Sequence, residues 1–222
     1  MRQLVWVLRK DLLLEWRTLG RTVALVCFGV TILLLFSFSV GPHASALRQH
    51  ASAYLWLTVL LGSTLLLERS LRLEVESGAL EMLRMAPLSP GALFYGKALS
   101  NTLQLLGLAA VMVPLVLVLC DTSLVEHPIW LLAVLVLGTA GLAAPGTLYA
   151  GLTASLSTRQ VLLPLLLFPL VVPALLASVK ATALVLQGDP MDQLGSWLWL
   201  LVCFDLVYWS LSGVLFGKVM ES

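Results

Sequence analysis

Six apolar blocks, spread along almost the whole chain, constrain its fold more than any other feature. They lie at about 22–40, 53–67, 98–119, 129–155, 161–186 and 197–217. A bilayer core takes about 20 helical residues to cross. In lipid every backbone N–H and C=O must be bonded within the structure, so spans are helices or closed barrels. These blocks are continuous and do not alternate, which reads as helix. The expected fold is all-α: a polytopic membrane protein with six transmembrane helices, forming one membrane domain over 1–222.

Composition agrees. Apolar residues make up 59% of the chain and charged residues 11%, against roughly 45–50% and about 25% in soluble domains. That inventory cannot clothe a soluble globule of this length. The charges are also clustered, with seven in 1–21 and eight in 68–97. A net charge of +1, without a basic patch interleaved with aromatics, gives no sign of a nucleic-acid partner. The first block is longer than the roughly 7–15 apolar residues of a secretion signal, so it reads as an uncleaved span.

Basic residues set the expected orientation. Six spans put Arg2, Arg9, Lys10, Arg17, Arg21, Arg69, Arg72, Arg84, Lys97, Arg159 and Lys218 on one side, 11 of the 13 bases, and leave Arg48 and Lys180 on the other. Both termini are therefore expected in the cytoplasm, with His43, His50 and His127 on the outer side. Within 1–21, Val5, Leu8, Leu12, Trp16 and Leu19 fall on one helical stripe, with Val7 and Leu13 off it. This predicts an interfacial helix lying on the bilayer, its bases reaching lipid phosphates. Cys27 and Cys203 fall inside apolar blocks, and Cys120 is the thiol expected to meet solvent. No Cys-x-x-Cys or zinc-ligand spacing is present.

The chain lacks catalytic signatures. Gly91 to Ala98 resembles a phosphate-binding loop, but Ala98 stands where Ser or Thr would hold magnesium, and no strand leads into it. Ser89 as a cap with Pro90 in the first turn makes the segment a helix start. The expected absence is of enzymatic activity and of a resident metal; three solvated loop histidines are the plain reading, with an outer-face ligand to a metal or haem iron as the alternative.

Inside the spans, Gly138, Gly141, Ala143, Ala144, Pro145, Gly146 and Gly151 form a run of small residues suited to close helix packing. Pro164, Pro169 and Pro173 each delete an intrahelical hydrogen bond and predict kinks. Asp205 sits near the middle of the sixth block, where a carboxylate should face the bundle and find a partner; Lys180 is the nearest candidate by depth.

The segment between the second and third blocks is the most informative. Glu68 and Arg72 form an i,i+4 pair that extends the second span, with Arg69, Glu74 and Glu76 in the same segment. Gly78 breaks the chain, Glu81 starts a short helix with Leu80, Leu83 and Met85 on its apolar side, and Pro87 ends it. A plain connector could be far shorter. A helix–turn–helix of this length reads as a coupling surface for another protein, over 68–90.

The stretch LLLERSLRLEVESGALEMLRMAPLSP at 65–90 resembles the cytoplasmic loop of the haem exporter protein B (CcmB) family. Ser39-Val-Gly-Pro42, Ala144-Pro145-Gly146 and Pro169-Leu-Val-Val-Pro173 are similar to its pattern as well, and the similarity covers almost the whole chain. Ala79 stands where the family pattern has Ser or Thr. The resemblance implies an ABC-2-exporter-like permease in a bacterial inner membrane, serving c-type cytochrome biogenesis. It implies a separate CcmA-like ATPase subunit that carries the ATP, and CcmC-, CcmD- and CcmE-like haem-handling membrane subunits beside it. The chain itself is expected to hold no cofactor, with haem present in the complex. Trp197 and Trp199 lack the flanking residues of a tryptophan-rich haem motif, so coupling ATP hydrolysis to haem delivery or chaperone release is favoured over passage of haem through this subunit. Two alternatives stay open: a small ABC exporter for a lipid, drug or glycan, and an ion- or proton-coupled carrier built around Asp205.

Overall fold

The computed structural model describes residues 2–17, 19–41, 44–76, 90–120, 127–153 and 159–221. They form seven helices: α1 (Arg2–Arg17), α2 (Leu19–Val40), α3 (Ala44–Glu76), α4 (Pro90–Leu119), α5 (Pro128–Thr153), α6 (Arg159–Gln187) and α7 (Leu194–Glu221). Six of them, α2 to α7, are long and apolar enough to cross a membrane, and no strand occurs among the described residues. The protein is an all-α, multi-pass membrane protein. Successive crossings alternate in direction. The chain's first helix, the end of α3, the start of α4 and the end of α7 therefore share one end of the bundle.

Two boundaries differ from the hydropathy reading. The second span starts at Ala44, nine residues before the apolar block. Leu47 and Ala51 are buried while Arg48, Gln49 and His50 lie exposed on the other face. An amphipathic helix end of this kind lowers mean hydropathy without interrupting the helix. The third spanning helix begins at Pro90, ahead of its apolar block but at the helix start expected there, because proline needs no N–H partner in the first turn.

At the centre stands α5, which touches α3, α4, α6 and α7. Residues 141–148 are all buried. Its glycines receive large side chains from two neighbours, α3 and α7. A β-carbon at Gly138 would overlap the Trp56 ring of α3, one at Gly146 would meet Leu67 of α3, and one at Gly151 would lie 2.8 Å from Phe216 of α7. Lipid offers no hydrophobic drive for helix association, so such dispersion contacts hold the bundle together. Trp56 is anchored as well, its Nε1 donating to Thr182 Oγ1 of α6 at 2.9 Å.

The helix assignment of α6 runs through Pro164, Pro169 and Pro173, and that of α5 through Pro145. Pro169 and Pro173 face outward, whereas Pro145 is buried.

Cys120 is placed against expectation, buried against the main core. Cys27 and Cys203 lie within the spans α2 and α7, as expected, on the outside of the bundle. Cys120 continues α4, its N–H donating to the Val116 carbonyl, so the core contact is carried past the apolar block.

Candidate coupling site and intramembrane polar groups

Helix α3 continues past the buried Leu67 and carries Glu68, Arg69, Arg72, Glu74 and Glu76 in its last turns. Among these, Glu68 is half-buried. Gly78, Leu80 and Glu81, with the rest of 77–89, lie outside the described residues. The described geometry of the coupling segment is that of its two anchoring helices, α3 and α4.

The start of α4 is gripped from two sides. Leu93, Phe94 and Ala98 form one buried cluster with Val7 of α1, Leu148 of α5 and Phe216 of α7. A β-carbon at Gly96 would stand 2.9 Å from Val7 and 3.3 Å from the Leu4 carbonyl oxygen, so α1 lies directly on this turn. On the other side Tyr95 stacks on Trp209 of α7, with ring centroids 6.3 Å apart, and Phe94 meets Phe216 at 5.5 Å.

Lys97 lies within this grip and is only 1% exposed. Its Nζ donates to Asp11 Oδ2 at 3.4 Å, and Lys10 Nζ sits 3.3 Å from Asp11 Oδ1. A lysine buried this fully needs a carboxylate, because an unpaired ammonium in low dielectric is costly. One turn on, Asn101 Nδ2 donates to Thr147 Oγ1 of α5 at 2.9 Å. The segment from Gly91 to Ala98 is thus helical throughout, and its lysine is committed to a carboxylate.

Sequence reasoning counted Lys97 among the bases on the cytoplasmic side and missed its partner. The available signal was its position on the same face as Phe94 and Asn101, amid apolar residues. The stripe assigned to α1 is also corrected. Leu4, Val7, Leu8 and Asp11 form the face that is buried or half-buried, while Val5, Trp6 and Leu13 point outward. Apolar residues lie on more than one face of the helix, Val5, Trp6 and Leu13 beside Leu4, Val7 and Leu8, so its own periodicity could not choose the packed face.

Asp205 and Lys180 do not pair. Asp205 faces α5, where its Oδ1 would lie 3.0 Å from a β-carbon at Gly141, beside Ala174 and Phe204. That oxygen is buried without a hydrogen-bond partner, as is the Ser212 hydroxyl seven residues on. Lys180 is exposed on α6. Glycine at 141 is the feature that makes room for the carboxyl.

The histidine reading changes in one respect. His50 is helical rather than in a loop, exposed on α3 with its ring 6.2 Å from Tyr54. His127 is exposed just before α5, and His43 lies outside the described residues. Among the described residues no cluster of metal-ligating side chains occurs.

The profile of the CcmB protein family matches residues 2–221. The chain belongs to the CcmB family. Similar proteins called Heme exporter protein B include that of Rhodobacter capsulatus, 37% identical over 171 residues, covering 77% of this chain and 78% of the relative. That of Paracoccus denitrificans is 35% identical, covering 85% and 86%. That of Pseudomonas aeruginosa is 34% identical, covering 79% and 77%. In this CcmB chain the match spans both helices that flank the 77–89 segment.

Proposed function

We propose that this CcmB chain is the membrane permease subunit of an ABC transporter for c-type cytochrome biogenesis. ATP hydrolysis takes place in a separate CcmA-like subunit and is coupled through the 68–90 segment to haem export, haem delivery or release of the haem chaperone. CcmC-, CcmD- and CcmE-like subunits handle haem alongside it. The protein resides in the bacterial inner membrane with both termini in the cytoplasm, as its basic residues direct.

The family match across 2–221, with relatives named as haem exporters, carries this reading. The grip of α1 and α7 on the start of α4 supports the coupling role. A displacement of the segment before Pro90 reaches Phe94 and Lys97 within two helical turns, and through them two other helices. The test is isolation of the tagged protein from native membranes. An ATPase together with haem-handling subunits is expected. An ATPase alone would favour an exporter of a lipid, drug or glycan, and no ATPase would favour an ion- or proton-coupled carrier.

A further inference from the structure

We propose that a strip of α5 left bare where α4 turns away, with Asp205 of α7 at its edge, seats a transmembrane helix of another membrane subunit, which brings a hydrogen-bond donor to the Asp205 carboxyl. This inference rests on the reading above that further membrane subunits stand beside this chain, and it names the surface one of them uses. Near the α1 end of the bundle α4 lies on α5, with Asn101 bonded to Thr147. Toward the opposite end α4 follows α2 and α3 instead. There Leu108 fills the space beside Gly62 of α3, and Met112 that beside Gly29 of α2. Val136 of α5 shares a face with Thr147, about three helical turns away. It is exposed, as are Leu132 and Ile129 beyond it. The face that α4 covers at Thr147 is therefore uncovered farther along.

Asp205 sits where the two helices part. Its Oδ1 lies against Gly141, between the levels of Thr147 and Val136, and is buried with no hydrogen-bond partner. The other carboxyl oxygen has no hydrogen bond among the described residues and is not buried, which leaves the residue half-buried. One turn on, toward α1, the way is shut. Trp209 Nε1 donates to the Ala140 carbonyl at 3.3 Å, and its ring stacks on Tyr95 of α4. Phe204 and Tyr208, with ring centroids 4.3 Å apart, and Ala174 close the α6 side. The open direction is that of the bare strip, with Leu206 exposed on α7 beside it.

Lipid cannot complete this arrangement. An acyl chain offers no donor, and a carboxyl within a span is costly unless another polar group meets it. A second copy of the chain fits no better. A two-fold contact through this strip would bring two carboxylates together, and the strip itself presents only Ile129, Leu132 and Val136. A helix from a different subunit meets both needs. Its apolar side chains pack on the strip at the usual interaxial distance of about 8–10 Å. One lysine, arginine or side-chain amide at the depth of Asp205 supplies the donor.

The experiment places photoreactive benzoylphenylalanine at Val136 of the tagged full chain in native membranes, with Val172, exposed on the outside of α6, as the control position. Irradiation should attach another membrane subunit at Val136 and not at Val172. Mass spectrometry of the attached peptide should identify a transmembrane helix with a lysine, arginine, asparagine or glutamine near its middle. Asp205→Leu should lower recovery of that subunit several-fold, on the order of three-fold or more. ATPase recovery and the melting temperature of the isolated chain should not fall with it. Adducts to lipid alone or to a second copy, equal adducts at both positions, a helix without a donor, or unchanged recovery in Asp205→Leu overturn the inference. Recovery of an ATPase and haem-handling subunits with no helix attached at Val136 would end this inference and leave the reading above standing. Recovery of no other membrane subunit would end both.

Discussion

The Lys97 ammonium lies 3.4 Å from Asp11 Oδ2, 86 residues away in sequence, and ties the first helix of the chain to the helix that leaves the coupling segment. The two partners are unequally placed, since the lysine side chain is 1% exposed and the aspartate 13%. Removing the aspartate takes a carboxylate from a buried cation, whereas removing the lysine leaves a carboxylate that water and Lys10 can reach. Asp11→Asn should therefore destabilise more than Lys97→Met, by up to about 3–5 kcal/mol. Thermal unfolding of both variants in detergent checks the order, and equal losses would count against the asymmetry.

Gly138→Ala should cost about 1–3 kcal/mol, the range for overpacking. Its β-carbon would overlap Trp56 and stand 2.6 Å from Ser178 Oγ, and Trp56 cannot retreat without losing Thr182. Gly107→Ala is the comparison, with nothing within 4 Å of its β-carbon. That change should be neutral or stabilising by up to about 1 kcal/mol through helix propensity.

Asp205→Asn should leave the protein at least as stable as it is. An ionised carboxyl in mid-span costs about 2.5 kcal/mol or more on insertion scales, and no partner for Oδ1 is present to offset it. Maturation activity measured across pH then separates packing from function. An activity preserved at every pH removes the main support for a proton-coupled carrier; a loss with normal membrane levels assigns Asp205 a part in transport.

The backbone amides of Gln193 and Leu194 hold the Asp189 carboxyl below the usual carboxylate range. A carboxyl whose folded pKa is depressed adds stability that is fully present above its unfolded value, about 3.9. That contribution is lost as pH falls through the folded value. Asp189→Ala should lower the melting temperature at pH 6, and that deficit should shrink progressively as pH falls below about 3.9. A deficit of the same size throughout would rule out the carboxylate as its source.

Glu81→Arg and Gly78→Pro alter the coupling segment without touching a span. Both should reduce co-purification of the ATPase and cytochrome c maturation while membrane levels stay normal. Reporter fusions after Arg84 and after His127 should place those points on opposite sides of the membrane. Full recovery of the ATPase by both variants would end the docking reading, and matching reporter signals would end the topology.

Fold class was legible because a bilayer imposes it: long apolar blocks have no alternative to helices once backbone groups must pair internally. The same is true of the continuation of α3 through Glu68–Arg72 and of the small-residue run in α5, where composition and spacing are local properties. Partner choice was not local. Which face of α1 is buried, which carboxylate meets Lys97, whether Cys120 or Cys203 is inside, and that Asp205 faces Gly141 instead of Lys180 all depend on how distant helices pack. An apolar helix in lipid can bury almost any face at similar solvation cost. Side-chain shape and the few charges that must pair decide among them, and those meet only in the folded bundle.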